Sequence, residues 1–183
     1  EIASVARAEG FAPRFAREDV LSDDMTPIRT VVHNAMLAYN AEGIQVDTVA
    51  LIYATAALLE PNDIITAHNA FLDDPSRPLL SVVETGTPVE KMLYIKDGVL
   101  RPTIKGAFNR RTQDLLTTYR DAGVFCFFSA KTLNEAANCD RWLEFRPYLL
   151  EPWKGLDIDT ELDWRFSEIV KAGLDNRNLK RTT

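Results

Sequence analysis

Apolar residues follow two different spacings along this chain, and the two spacings alternate. Short runs rich in Val, Ile, Leu and Phe predict buried strands, while apolar residues three or four positions apart predict amphipathic helices. Strands are expected at 46–54, 78–85, 123–128 and 147–152, and the main helices are expected to begin near Thr26, Pro61, Ser129 and Thr160. Elements that alternate in this way indicate a layered α/β fold with a mostly parallel sheet.

A short hairpin signal interrupts this alternation. The apolar runs MLYIK and VLRP flank Asp97-Gly98, and Asp-Gly between two such runs favours a tight two-residue turn. The sequence therefore predicts a small antiparallel excursion at about 89–105. Because an isolated two-stranded hairpin is marginally stable in water, we expect another surface to cover it.

The last long helix has a well-marked beginning. Thr160 is predicted as the N-cap, and Asp163 three residues later completes a capping-box-like pattern. The apolar residues that follow recur at helical spacing, which predicts one buried face. The residues expected on that face are Leu162, Phe166, Ile169 and Val170.

Two carboxylates precede this helix, Asp157 and Asp159. In an extended segment, side chains two positions apart point the same way, so the two carboxylates are expected to converge. Such a pair suits Mg²⁺, which proteins hold by one or two carboxylates together with substrate phosphates. The structural alternative is that both residues only favour the positive end of the helix dipole.

Composition narrows the class of protein. The 183 residues fit one domain, and the net charge of −6 gives no sign of binding to nucleic acid or an anionic membrane. The sequence contains no run of eighteen apolar residues, so no membrane span is predicted. Two cysteines without metal-binding spacing suggest a reduced, cytoplasmic protein.

Four motifs occur in a fixed order, and together they resemble one family. They are LSDDMTP at 21–27 with Arg17 before it, IYATA at 52–56, NRRTQD with YRDAG at 109–123, and DIDTELDW at 157–164. This series resembles the acylneuraminate cytidylyltransferases (CMP-sialic acid synthetases), particularly the branch that activates pseudaminic acid. The resemblance implies a three-layer, Rossmann-like sheet of the nucleotide-diphospho-sugar transferase type, formed by a single domain over 1–183.

The resemblance also implies a reaction and a set of site residues. The anomeric hydroxyl of a nonulosonic acid would attack the α-phosphate of CTP with Mg²⁺ present, giving a CMP-sugar and pyrophosphate. Asp157 and Asp159 match the metal-binding pair of the family. The other residues implied are Arg17 near the nucleotide, Tyr53 and Thr55 at the ligand-binding end of a strand, Lys91 at the sugar rim, and Arg111 with Gln113 facing the sugar acid.

Some features depart from the family pattern. Glu18 and Ala57 stand where proline is usual, and Cys126 stands where an aromatic residue in the sugar pocket is expected. The strand and the glycine-rich basic loop that open the family and wrap the CTP phosphates are expected ahead of Glu1. A chain without that unit is expected to turn over no CTP.

Three readings of function therefore stay open. The first is the cytidylyltransferase, which the family resemblance implies to be a homodimer joined near 92–102. The second is a non-catalytic or truncated member of the same fold that acts as a binding or structural protein. The third is a metal-dependent phosphatase or isomerase that uses the two aspartates alone.

Overall fold

The computed structural model describes residues 2–136 and 143–181, with side chains as far as Asn176. None of the helices in these ranges is both long enough and apolar enough to cross a membrane. The helices are α1 Ile2–Ala8, α2 Ile28–Ala41, α3 Pro61–Leu72, α4 Ala130–Ala136 and α5 Glu161–Arg181. The strands are β1 Thr48–Ile52, β2 Leu79–Glu84, β3 Leu93–Lys96, β4 Val99–Pro102, β5 Tyr119–Ser129 and β6 Arg146–Leu149.

Four strands form the main sheet in the order β1-β5-β2-β6. The predicted α/β class is confirmed, but the prediction of a mostly parallel sheet needs correction because the sheet is mixed. β2 and β6 are parallel, whereas β5 is antiparallel to both of its neighbours. A buried strand has the same apolar pattern in either direction, so the sequence did not show that β5 runs antiparallel to its neighbours. The three-layer, Rossmann-like type stays a prediction.

β5 is one of the two interior strands of the main sheet, and its side chains alternate between two apolar clusters. Phe125 and Phe127 pack with Phe71 of α3 in one cluster. Cys126 packs with Met36 of α2 in the other cluster, which also contains buried residues of α4. The Cys126 side chain therefore lies in the core, whereas the family pattern had led us to expect it in the sugar pocket. Burial raises the pKa of its thiol.

An irregularity in the pairing of β2 with β5 lies at a buried hydroxyl. The register shifts between Leu80 and Val82, and Ser81 between them is fully buried. The Ser81 hydroxyl donates to the Phe125 carbonyl oxygen at 2.8 Å and accepts from the Phe125 N–H at 3.0 Å. Because buried backbone groups need partners, this side chain replaces the sheet hydrogen bonds that the bulge removes.

The Asp97-Gly98 hairpin is confirmed. β3 pairs with β4 in antiparallel register, and the two turn residues have φ values of 54° and 73°. Positive φ at both positions is the requirement of a type I′ turn. All eight residues of the two strands are exposed, so the surface expected to cover the hairpin stays a prediction.

Three helix beginnings follow the sequence signals. Pro61 occupies the first turn of α3, as predicted, and the Ser129 hydroxyl accepts from the Thr132 N–H at the start of α4. At α5, the Thr160 N–H donates to Asp163 Oδ2 at 2.8 Å. The Asp163 N–H donates back to the Thr160 hydroxyl at 3.3 Å, which completes the predicted capping box.

The predicted buried face of α5 is wrong for three of its four residues. Leu162, Phe166 and Ile169 are 74%, 52% and 69% exposed. The inward face is turned from the predicted one and is centred on Ser167, which is 6% exposed, together with three half-buried residues, of which only Val170 was predicted. These are Asp163, Val170 and Leu174.

Candidate active site

The direction of the strands defines one functional edge of the main sheet. β1, β2 and β6 all run one way and β5 runs against them. The carboxyl ends of three strands and the beginning of β5 therefore lie together. Ligands of open α/β sheets bind outside the carboxyl ends of the strands, so this edge is the first place to look for a site.

Asp157 lies against this edge at Gly123 of β5. A Cβ atom added to Gly123 would lie 3.2 Å from both Cγ and Oδ2 of Asp157. Gly123 also has a φ of 64°, which favours glycine. Glycine at this position therefore gives the Asp157 carboxylate room to approach the strand closely.

A third carboxylate, Asp121, holds the backbone at Gly123 in place. Its Oδ1 accepts the N–H of Gly123 at 2.9 Å, which fixes the backbone against which Asp157 lies. We did not predict Asp121 as a site residue. The only sequence signal was its place in the YRDAG motif, two residues before a glycine.

Tyr53 lies beside the same part of β5. It follows β1 directly, and its backbone N–H donates to the Val124 carbonyl oxygen at 3.0 Å. Burial raises the pKa of the Tyr53 phenol, and the negative charges of Asp121 and Asp157 raise this pKa further. The phenol therefore stays protonated at neutral pH and is available as a hydrogen-bond donor.

Asp157 and Asp159 are both exposed, whereas Ile158 between them is half-buried. The Asp159 N–H donates to Asp163 Oδ2 at 3.3 Å, which ties the segment to the capped start of α5. In the described part of the chain, no group of three or more His, Cys, Asp or Glu residues could hold a metal ion. Two exposed carboxylates without a full protein cage fit Mg²⁺, which binds with few carboxylates and completes its shell with phosphates and water.

The loop before β5 is organised by Lys91. The ammonium group of Lys91 donates to the carbonyl oxygens of Phe108 and Arg110, and it lies 5.3 Å from the centroid of the Phe108 ring. Lys91 thus holds the backbone immediately before Arg111. Its expected contact with the sugar rim stays a prediction.

Arg111 and Gln113 are exposed in this loop, at a short 3-10 turn that spans Thr112–Asp114. The turn comes a few residues before Tyr119, where β5 begins, so it leads to the same edge of the sheet as Asp157. Arg110 has a different task, because its guanidinium donates to the Asp114 carbonyl oxygen at 3.2 Å. It closes the turn and leaves the neighbouring Arg111 directed to solvent.

The remaining predicted residues lie on the β1 side. Thr55 is half-buried in the turn after Tyr53, and its carbonyl oxygen accepts the Ala57 N–H at 2.7 Å. Arg17 lines a groove of about 550 Å³ along β1 and α2, together with apolar residues that include Val49 and Ile52. The structure therefore brings Tyr53, Asp121 and Asp157 together and places Arg17 in a separate groove beside β1.

The chain is thus an α/β protein whose candidate site lies at the carboxyl edge of the sheet, where open α/β sheets bind their ligands. No family model matches the chain. It is 30% identical over 179 aligned residues to the pseudaminic acid cytidylyltransferase of Campylobacter jejuni subsp. jejuni serotype O:23/36, with 93% of this chain and 73% of the relative covered. The protein of the same name from serotype O:2 shows the same identity and coverage. The chain belongs to the acylneuraminate cytidylyltransferase family.

Proposed function

We propose that this chain belongs to an enzyme that transfers CMP from CTP to the anomeric hydroxyl of a nonulosonic acid of the pseudaminic type. The hydroxyl oxygen forms a bond to the α-phosphorus, and the bond from that phosphorus to the bridging oxygen breaks. Pyrophosphate leaves with the bonding electrons, and the hydroxyl proton passes to solvent. The products are a CMP-sugar and pyrophosphate.

One observation carries this proposal: Asp157 lies against Gly123, and Tyr53 is hydrogen-bonded to the neighbouring Val124, at the carboxyl edge of the sheet in a chain that aligns over 93% of its length with pseudaminic acid cytidylyltransferases. A phosphatase or isomerase reading explains the carboxylates but not the alignment. The chain covers 73% of the length of these relatives, so each test of activity uses the complete gene product.

Each residue has a task that follows from its chemistry and position. Asp157 and Asp159 would hold Mg²⁺ together with the nucleotide phosphates, and the ion would neutralise charge that develops on them. The protonated Tyr53 phenol would donate a hydrogen bond to the bound nucleotide, and Thr55 two residues further on would offer a second polar contact. Arg17, exposed at the groove along β1, would meet the nucleotide.

The sugar acid is assigned to the loop before β5. Its carboxylate can take two parallel hydrogen bonds from the planar guanidinium of Arg111. Gln113 lies two residues further on and can donate to or accept from a sugar hydroxyl. Lys91 fixes the backbone of this loop by its hydrogen bond to the Arg110 carbonyl oxygen, which limits the positions that Arg111 can occupy.

We also propose that the protein is a homodimer with the hairpin at or near its interface. The eight exposed strand residues of the hairpin include Tyr94, Ile95 and Leu100, which are 48%, 74% and 63% exposed. Light scattering of the complete protein at micromolar concentration should give twice the monomer mass. Ile95→Lys should shift this mass toward the monomer, and a strict monomer in the wild type would contradict the proposal.

The activity is tested by pyrophosphate release from the complete protein. We expect release only when CTP, pseudaminic acid and Mg²⁺ are all present, with the CMP-sugar formed in equal amount. Reactions that lack one component, or that contain another nucleoside triphosphate in place of CTP, are the controls. Pyrophosphate release without the sugar would favour a hydrolase, and no release in the full mixture would favour a non-catalytic member of the family.

A further inference from the structure

A buried ammonium group connects two parts of the proposed site. One is the loop before α3, which carries Tyr53 and Thr55, and the other is the segment before α5, which carries the two aspartates. Lys154 is 8% exposed, and its Nζ lies 2.9 Å from Glu60 Oε2, 2.9 Å from both carboxylate oxygens of Asp63, and 3.5 Å from Glu151 Oε2. Burial acts to lower the pKa of Lys154, but hydrogen bonds with Asp63 and Glu60 outweigh it and raise the pKa. The group therefore stays charged at neutral pH.

The two nearest partners of Lys154, Glu60 and Asp63, are at the beginning of α3. The Glu60 N–H donates to Asp63 Oδ2 at 3.0 Å, so both residues also cap this helix. α3 directly follows the loop that carries Tyr53 and Thr55. One ammonium group thus ties that loop to the segment that leads to Asp157.

Gly155, the residue after Lys154, is held by contacts with β2 and β5. The Gly155 carbonyl oxygen accepts from the Arg120 guanidinium at 2.5 Å. A Cβ atom at Gly155 would lie 2.6 Å from Val83 Cγ1 and 3.2 Å from Ala122 Cβ. The backbone is therefore held at Lys154 and Gly155, three and two residues before Asp157. This restricts the positions that the segment with the two carboxylates can take.

We propose that Lys154 is a positioning residue that fixes the segment 156–160 against the start of α3 and thereby sets the position of the Asp157 and Asp159 carboxylates for Mg²⁺. This inference rests on the proposed function of the two aspartates. Lys154 does not touch the substrates. It acts through Asp63 and Glu60 together, and it keeps the two loops of the site at a fixed separation.

The test compares three variants of the complete protein: Lys154→Met, which removes the charge at similar length, Lys154→Arg, which keeps it, and Lys171→Met as the matched control. Lys171 is an exposed lysine that pairs with Asp175 on α5. Amide hydrogen exchange over 156–160 reports on the segment without any need for activity. The Mg²⁺ concentration for half-maximal pyrophosphate release reports on the metal site.

We expect Lys154→Met to raise the half-saturating Mg²⁺ concentration roughly ten-fold, the usual effect of removing a partner that orients metal ligands. Exchange over 156–160 should become roughly ten-fold faster as the segment opens locally. Lys154→Arg should recover most of both values, and Lys171→Met should leave both at the wild-type level. The KM for the sugar acid should not change.

Unchanged exchange over 156–160 in a folded Lys154→Met protein would overturn the proposal. If Lys154→Met does not fold, Glu60→Gln takes its place, because it removes one charged partner of Lys154 at a side chain that is 64% exposed. Glu60→Gln should shift both readouts in the same direction, and no shift would again overturn the proposal. If the wild type releases no pyrophosphate, the proposed function fails, while the exchange measurement still decides whether Lys154 holds the segment.

Discussion

Gly155→Ala probes the close contact that holds the aspartate segment against the core. The added methyl group would lie 2.6 Å from Val83 Cγ1 and 3.2 Å from Ala122 Cβ. Val83 is 1% exposed and belongs to the main apolar cluster, so the side chain has little space into which to move. Overpacking of this kind costs about 1–3 kcal/mol.

An opposing effect reduces the net change. Replacing glycine by alanine stabilises a protein by about 0.4–1 kcal/mol, because the unfolded chain loses freedom. We therefore expect a net loss of about 1–2 kcal/mol, which lowers the melting temperature of a protein of this size by ~2–8 °C. Urea unfolding followed by circular dichroism and calorimetry would measure the two quantities.

Two further variants make this prediction specific. Gly173→Ala is the matched control: Gly173 lies in α5 with no atom within 4 Å of an added Cβ, so this change should stabilise by about 0.5–1 kcal/mol. Val83→Ala makes room for the new methyl group, and the double variant Gly155→Ala/Val83→Ala should be more stable than the sum of the single changes by about 1 kcal/mol. Stabilisation by Gly155→Ala, or additivity in the double variant, would refute the packing described for this segment.

Two other variants test the bulge and the sugar site. Ser81→Ala leaves the buried N–H and carbonyl of Phe125 without their side-chain partner and should cost about 1–3 kcal/mol, while the exposed Ser4→Ala should change stability by less than about 0.5 kcal/mol; equal effects would contradict the role of Ser81 in the sheet. Arg111→Ala should raise the KM for the sugar acid by roughly 10- to 100-fold, because losing a charge-assisted pair costs about 1.5–3 kcal/mol. The KM for CTP serves as the internal control, and an equal rise in both values would remove Arg111 from the sugar site.

Local signals in the sequence predicted local structure well. The Asp97-Gly98 turn, Pro61 in the first turn of α3 and the Thr160–Asp163 capping box all appear as expected. In each case the physical cause lies within a few neighbouring residues. The chemistry of a turn or a helix cap is therefore readable without knowledge of the rest of the fold.

Properties set by distant parts of the chain were harder to predict. The apolar period of α5 shows which residues share a face, but it does not show which face meets the core, and Leu162 and Ile169 turned out to be exposed. The direction of β5 likewise depends on its partners and not on its own apolar pattern.

For the candidate site, the motif order predicted Asp157 and Tyr53, and the structure places both beside residues 123–124 of β5. Asp121 and Lys154 were not predicted, because their roles depend on contacts with Gly123 and with Asp63. Asp63 lies 91 positions before Lys154, and no spacing rule connects residues so far apart.

The central claim is that Asp157 and Asp159 form the Mg²⁺ site of cytidylyl transfer, and one measurement tests it directly. In the complete protein, kcat at saturating Mg²⁺ and the melting temperature are measured for Asp157→Asn and Asp159→Asn, with Asp175→Asn of α5 as the exposed control. We expect kcat to fall roughly 100-fold or more in the first two variants, as when a preorganised electrostatic contact is lost. The melting temperature should change little, because an exposed aspartate at a helix entry contributes at most about 1 kcal/mol through the dipole. A lowered melting temperature with near-wild-type kcat would contradict the claim and leave the two aspartates with a structural role only.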